Sequence, residues 1–329
     1  MRVLVTGATG FIGGRLTRQL IDAGHTVRVL VRDPAHAAGL AGAEVVAGDI
    51  RDRASVRNAM KDAEQVYHVA AWYKIGSDDA GQAYDINVRG TRNVLELMRE
   101  HKVTKGVYTS TIAIYSDTHG HTVDETSPSA GPYNSVYERT KAIAHNEVAL
   151  PMMAEGLPLV VVQPGVVYGP GDRSAIRDTF VMYLQRKLPV VPKDTTYCWA
   201  HVDDTARAHV DAMTKGRVGE SYIVAGQICE LSRVFEIAAK FTGVTAPKIK
   251  VGGDTLRFAA KMAGFAERVI PRMPSSYREE ALRSVAGTTS IASSAKAERE
   301  LGWNPRPLED GLRETMHFEM HELGMSPPM

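Results

Sequence analysis

Cysteine is almost absent from this chain: two occur in 329 residues, Cys198 and Cys229, and neither stands in a C-x-x-C pair or another metal-ligand spacing. A disulfide-stapled scaffold and a thiolate metal site are thereby excluded, and the two read as free thiols in a reducing compartment. Long hydrophobic runs are absent too. Nothing approaches the roughly 18 apolar residues that cross a bilayer, and Met1 leads straight into Val3-Leu4-Val5 and glycines without a signal-like apolar region or cleavage site. The expected location is the cytoplasm, with no membrane partner. Nor does one sign of charge dominate. Lys+Arg 39 against Asp+Glu 38 leaves no cationic surplus for a polyanion, which removes nucleic acid from the expected partners. Internal repeats and low-complexity tracts are missing as well.

What is present is the balance of an ordinary globular protein, 44% hydrophobic and 23% charged, over a length sufficient for two domains or one elaborated one. Apolar runs at 3–5, 27–31, 45–47, 66–69, 107–109 and 160–163 read as strands buried on both faces. Between them, 11–23, 54–63, 83–99 and 137–153 carry helical spacing. Such alternation builds a parallel sheet covered on both sides. Past Pro164 the rhythm changes to turns, as at Gly169-Pro170-Gly171. His201-Val202-Asp203-Asp204 then opens a helix through Met213, 221–224 reads as a late strand, and from Leu231 the pattern is mostly helical with a strand-like 248–251. The expected fold is α/β: a Rossmann-type doubly wound parallel sheet with a smaller, mostly helical C-terminal substrate domain. The dinucleotide domain takes 1–165 plus 198–228, and the substrate domain 166–197 plus 229–329.

The first strand runs into Thr6-Gly7-Ala8-Thr9-Gly10-Phe11-Ile12-Gly13. Glycine is wanted where a strand turns sharply into a helix and where backbone N–H groups must approach a pyrophosphate. Gly7, Gly10 and Gly13 give G-x-x-G-x-x-G, a variant of the commoner dinucleotide spacing, in the expected strand-turn-helix context. At the end of the second strand, where NAD-preferring domains carry an acid for the ribose 2′-hydroxyl, stands Arg32. An arginine there suits a 2′-phosphate, a contact of about 1.5–3 kcal/mol. NADP(H) is therefore expected over NAD. The competing reading leaves Arg32 solvated and gives the ribose to Asp33.

Tyr137 and Lys141 are four apart and share a helix face. Using a tyrosine as a base near neutral pH takes about 4 kcal/mol in favour of the phenolate, and an ammonium about 4 Å away supplies that order at an effective dielectric near 20. The cluster Thr109-Ser110-Thr111 ends a strand and offers a hydroxyl to polarise a carbonyl. Reactive groups are expected at the carboxyl ends of parallel strands.

These motifs, with Asn87-Val88-x-Gly90-Thr91, Pro164-Gly165-x-x-Tyr168-Gly169-Pro170-Gly171, His201-Val202-Asp203-Asp204 and Leu301-Gly302-Trp303, resemble the extended short-chain dehydrogenase/reductase superfamily over nearly the whole chain. Val66-Tyr67-His68-Val69-Ala70-Ala71 and the tail are similar to its dihydroflavonol-4-reductase-like and hopanoid-associated members. The resemblance implies Tyr137 as general acid/base, Lys141 on the nicotinamide ribose, and Thr111 as the active hydroxyl where serine is commoner, with Ser110 as a substitute. It further implies Asp49-Ile50 at the adenine, Val69-Ala70-Ala71 under the adenosine and pyrophosphate, and Pro164-Gly165-Val166-Val167 beside the nicotinamide. Asn87 is implied near the active site, with a purely structural hydrogen-bonding role equally open. In look-alike enzymes the helices 83–99 and 137–153 pair two copies, so a homodimer is open here.

Sugar-nucleotide members carry Arg-x-x-Asn and a further arginine suited to phosphate. This chain has Gln163 and Val166 at the first place and Tyr197-Cys198-Trp199 at the second. Together with Trp72 and Tyr73 these suggest a neutral or aromatic carbonyl substrate held near Tyr73, Asn87 and Thr111, although each aromatic could equally be core. The expected activity is NADP(H)-dependent reduction of a ketone or aldehyde. Epimerisation or dehydration of a sugar nucleotide is the alternative, and a non-catalytic dinucleotide sensor the second. His119 and His121, and His317 and His321, lack a third ligand, and no metal is expected. The segment 117–134 reads as a loop over the substrate entrance.

Overall fold

The computed structural model describes residues 1–74, 79–129, 131–188, 190–267 and 279–328. Its centre is a seven-stranded sheet. The strands are β1 (Arg2–Thr6), β2 (Thr26–Val31), β3 (Glu44–Ala47), β4 (Gln65–His68), β5 (Lys105–Thr109), β6 (Leu159–Pro164) and, from much later in the chain, β10 (Ser221–Val224). They lie in the order β10-β6-β5-β4-β1-β2-β3, and every pairing is parallel. Residues alternate between the faces of a strand, and both faces here are covered. Val3, Val5, Val27, Val29, Val107 and Val160 pack against Leu16 and Leu20 of α1 (Phe11–Asp22) and Ala208 and Ala212 of α8 (Val202–Thr214). Leu4, Leu30, Val66, Tyr108 and Val161 face the other way, onto Val56 and Met60 of α2 (Arg53–Met60) and Val94, Leu97 and Met98 of α4 (Thr91–Glu100). The uniformly apolar strand pattern has this double cover as its cause.

Two expected long helices are interrupted. The first comprises α3 (Ala80–Tyr84), a wide π-type turn over Asp85–Gly90 and then α4; the second comprises α5 (Val136–Ile143), a similar turn over Ala144–Ala149 and α6 (Leu150–Ala154). In the second, Pro151 has no N–H to give the preceding turn. In the first, the wide turn carries Asn87 inward, where it is buried.

The remaining chain forms a separate small core. Tyr168 of β7 (Val166–Tyr168), Phe180 and Tyr183 of α7 (Ala175–Leu184), Val191 of β8 (Val190–Pro192) and Trp199 of β9 (Thr196–His201) meet Val234 and Phe235 of α9 (Leu231–Thr242) and Leu312 and Met316 of α13 (Leu308–Glu322). β9 also pairs with β11 (Gln227–Glu230) and β13 (Thr289–Ser290), and β8 with β12 (Ile249–Val251). α10 (Gly253–Glu267), α11 (Glu279–Val285) and α12 (Ala295–Leu301) complete the described strands and α-helices. Among the described residues no helix is long and apolar enough to cross a membrane. Cys198 and Cys229 are free and buried.

Candidate active site

The carboxyl ends of β1, β4, β5 and β6 share one edge of the sheet, and between β1 and β4 the strand order reverses direction, which opens a crevice there. Gly7 leaves β1 with φ 77°, and a Cβ on it would lie 2.6 Å from the Ala70 nitrogen. On Gly13 a Cβ would meet the Gly7 carbonyl oxygen at 2.1 Å. The turn closes through Gly10 N–H donating to Gly7 O at 2.9 Å. Gly10 caps α1 without a side chain, and the first turn of that helix holds no acid. Its N–H groups therefore stay available to an anion, as a pyrophosphate requires. Thr9 and Gly10 are exposed at this mouth, Phe11 and Ile12 half-buried, and Val69, Ala70 and Ala71 form the opposite wall.

At the end of β2, Arg32 is exposed. Asp33 is engaged elsewhere: its carboxylate accepts from Ala35 N–H at 3.0 Å and lies 3.3 Å from His36. The Asp49 carboxyl is held below its ordinary value by hydrogen bonds from Arg51, with the charge of Arg32 adding to the effect. Ile50 is buried and packs beneath Gly90. Pro164 ends β6. At Gly165 a Cβ would strike the Cys198 carbonyl oxygen at 2.5 Å, and Val166 and Val167 turn away into β7 to pair with β9.

Helix α5 begins at a capping box: Ser135 Oγ accepts from Glu138 N–H at 3.1 Å, and the Glu138 carboxylate reaches back to Asn134 N–H at 2.7 Å. From far downstream, α11 joins this start. Glu280 accepts from Val136 N–H at 2.8 Å and Arg283 donates to the Asn134 carbonyl at 2.7 Å. Tyr137 follows at once, half-buried, with Tyr73 edge-on to its ring at 4.8 Å. Burial pushes the Tyr137 phenol up to about 12, opposed by a hydrogen bond from Thr111. Thr111 itself heads the short 3-10 turn Ile112–Tyr115, accepting from Ala113 N–H at 3.1 Å.

Lys141 differs from the simple picture of an ammonium paired to the phenol. It is 2% exposed, and its Nζ donates to the Thr109 carbonyl at 2.7 Å and the Tyr108 hydroxyl at 3.0 Å. A buried ammonium takes the strongest acceptors in reach, and here these are a strand end and a phenol. Burial lowers its pKa to about 7. In this arrangement desolvation, rather than attraction between the two groups, sets the protonation of both. The group that opposes the rise of the phenol's pKa is Thr111.

The other members of the hydroxyl cluster diverge. The Thr109 side chain meets His209 Nε2 at 2.8 Å on the α8 side of the sheet, and the Ser110 hydroxyl is buried without a partner among the described residues. Asn87 has its amide engaged at both ends: it accepts from Trp72 N–H at 2.7 Å and donates to the Trp72 carbonyl and Thr140 Oγ1. The structural of its two roles is the one these bonds describe, a clamp that ties residues 72–73 to α5. Of the aromatic residues, Trp72 and Trp199 are core, with their indole N–H groups bonded to Gln82 and the Cys229 carbonyl. Tyr73, 45% exposed, and Tyr197 remain at the crevice beside Tyr137. Among the described residues the only cluster with three metal-type ligands is His201, Asp203 and Glu314, and Arg306 lies across it at 2.7 Å from Glu314.

Sequence reasoning missed Tyr108, and it took His68 and Thr91 only as members of motifs, without a role. They sit in strands and a helix whose neighbours are apolar, and the one available signal was a histidine and a tyrosine inside strands buried on both sides.

A tyrosine, a lysine and a hydroxyl gathered at the carboxyl edge of a doubly wound sheet, beside an uncapped glycine turn, define an enzyme of the extended short-chain dehydrogenase/reductase type. The profile of the NAD dependent epimerase/dehydratase family matches residues 3–225, and the chain belongs to that family. It is 30% identical to "Sterol demethylase protein B" of Methylococcus capsulatus, over 99% of this chain and 100% of that protein. It is also 30% identical to a "Putative dihydroflavonol 4-reductase" of Synechocystis, over 96% and 94%. Among solved structures, that of gox2253 superposes with a TM-score of 0.84 at 30% identity, covering 98% of this chain and 99% of the other. A UDP-glucose 4-epimerase of Thermotoga maritima shares the fold, with a TM-score of 0.78 at 22% identity, over 98% and 100%.

Proposed function

We propose that the protein is an NADP(H)-dependent oxidoreductase that reduces a ketone or aldehyde on a neutral, ring-bearing substrate. The observation that carries the reading is the Thr111–Tyr137 grouping, which opens beside Tyr73 and Tyr197 with a phenol pushed up to about 12. Such a phenol is protonated at neutral pH and therefore suits the acid needed when a carbonyl is reduced. Tyr137 gives its proton to the carbonyl oxygen, Thr111 holds that oxygen in line, and Lys141, one turn further along α5, serves the centre as a buried cation. A nicotinamide dinucleotide, when bound, supplies the hydride. The glycine turn and the uncapped start of α1 fit its pyrophosphate.

NADP(H) is favoured because Arg32 is exposed at the second strand end while Asp33 caps its own turn. An Arg32→Ala variant should lose about 10- to 150-fold in kcat/KM with NADPH and little with NADH. Equal losses with both cofactors count against the preference.

Support for a ring-bearing substrate comes from the crevice tyrosines and from relatives whose names refer to sterols and dihydroflavonols. A "3 beta-hydroxysteroid dehydrogenase/Delta 5-->4-isomerase" of Mycobacterium tuberculosis, 28% identical, points the same way. NADPH oxidation measured against steroid ketones, flavanonols and aromatic aldehydes tests the reading. Tyr137→Phe should abolish turnover while leaving cofactor binding intact, and full turnover in that variant would end the assignment. The family profile also covers epimerases and dehydratases, so UDP-sugars belong in a parallel assay. Conversion of one of them without net NADPH consumption would replace carbonyl reduction.

A further inference from the structure

We propose that a buried polar cluster of Tyr108, Thr91, His68 and Thr6 anchors the Lys141 ammonium, which makes Tyr108 and His68 positioning residues for the Tyr137 centre. The inference rests on the reading above in one respect, that Lys141 serves Tyr137.

Lys141 Nζ donates to the Tyr108 hydroxyl at 3.0 Å. Beside that phenol stands Thr91, which opposes the rise of its pKa; the Thr91 Oγ1 lies 3.0 Å from His68 Nε2, and His68 Nδ1 lies 2.8 Å from Thr6 Oγ1. Ala70 N–H, on the wall facing Gly7, closes on Thr6 Oγ1 at 3.4 Å. A neutral imidazole has one donor and one acceptor nitrogen. His68 uses both, one nitrogen on Thr91 and the other on Thr6. The rings of His68 and Tyr108 are also stacked, 5.5 Å apart with 18° between their planes.

Every member is buried. Thr6 and Tyr108 are 0% exposed, and His68 and Thr91 are 1% exposed. No member of the cluster reaches the surface. What the cluster can do is hold a charge in place. An ammonium has three donors, and Tyr108 and the Thr109 carbonyl fix two of them, which aims the third. On the other face of the sheet His209 grips the Thr109 hydroxyl, and its Nδ1 meets the Thr205 carbonyl at 2.7 Å. The lysine is thus braced from both layers of the fold.

The titratable groups that face Lys141 are Tyr108 on β5, His68 on β4, and Tyr137 and His145 on its own helix. Burial and the charge of Lys141 hold His68 down to about 3 and His145 down to about 4, so both stay neutral through the working range. A shift in the lysine's own titration is then readable.

The test is the pKa of Lys141 in the full-length protein, followed by NMR of isotopically labelled lysine and assigned with Lys141→Arg. Tyr108→Phe removes the acceptor and should make the ammonium about ten- to hundredfold more acidic. Thr91→Val, which removes a hydroxyl one step further out in the cluster, should shift it in the same direction by less, and Thr91→Ser should restore it. The alkaline limb of the kcat profile should move with the ammonium. An unmoved lysine in folded Tyr108→Phe, or identical behaviour of Thr91→Val and Thr91→Ser, overturns the proposal. Should no carbonyl compound be turned over while the lysine shifts as expected, the functional reading fails and the anchor stands.

Discussion

Lys141 keeps an ammonium in a site 2% exposed, where burial lowers its pKa to about 7, and this sets activity against stability in one residue. The folded value lies below the unfolded value of about 10.5, so between the two the unfolded chain binds more protons and stability rises with pH. The destabilisation is complete below about pH 7 and vanishes above about pH 10.5. Lys141→Met should therefore raise Tm at pH 6, by about 2–4 °C for each kcal/mol recovered, and the gain should shrink as the pH approaches 10. Turnover should be lost at every pH. A gain independent of pH, or a uniform loss, would show that desolvation of the ammonium is not the controlling cost. Tyr137 and Lys141 were legible in the sequence as a pair on one helix face, but their surroundings were not. The acceptor that the lysine meets, Tyr108, stands 33 positions earlier in a strand, and nothing in the spacing of the pair announces it.

At the scale of elements, the strand-turn-helix at residues 2–22 was readable because each glycine has a local cause. Gly7→Ala should combine strain at φ 77° with a Cβ 2.6 Å from the Ala70 nitrogen. Each part is worth about 1 kcal/mol or more, so Tm should fall by several degrees and affinity for the dinucleotide should collapse, as read by NADPH fluorescence. Retention of both in a folded variant would mean that the turn relaxes without harm. The helices behind the site were less legible. Apolar spacing over 83–99 fits one continuous helix, because a single wide turn shifts the phase by only one residue and the periodic signal survives on either side. That turn is what carries Asn87 inward to hold Trp72 and Thr140, so its amide reads in sequence as a polar residue near a site and in three dimensions as a brace. Similarly, Trp72 and Trp199 are buried where Tyr73 and Tyr197 are not, a difference that composition does not encode.

For the molecule as a whole, the doubly wound sheet was visible in the alternation of apolar runs with helical spacing, since strands buried on both faces leave a strong mark. Contacts that join distant stretches left none. Glu280 and Arg283 of α11 meet Val136 and Asn134 at the very start of α5, across 144 and 149 positions. Glu280→Ala should leave the sheet intact, with a loss of about 1.5–3 kcal/mol at most, yet lower kcat more than it raises KM for NADPH. A change confined to KM would place its effect on binding instead. This latch has a bearing on any attempt to retarget the enzyme by recombination. A hybrid that kept residues 1–225 and borrowed its remainder from a homologue without an acid and a base at these two places would inherit a sound nucleotide half in which the start of α5, next to Tyr137, has lost both of its long-range ties. Grafting specificity would then require transplanting both side chains together with the new pocket.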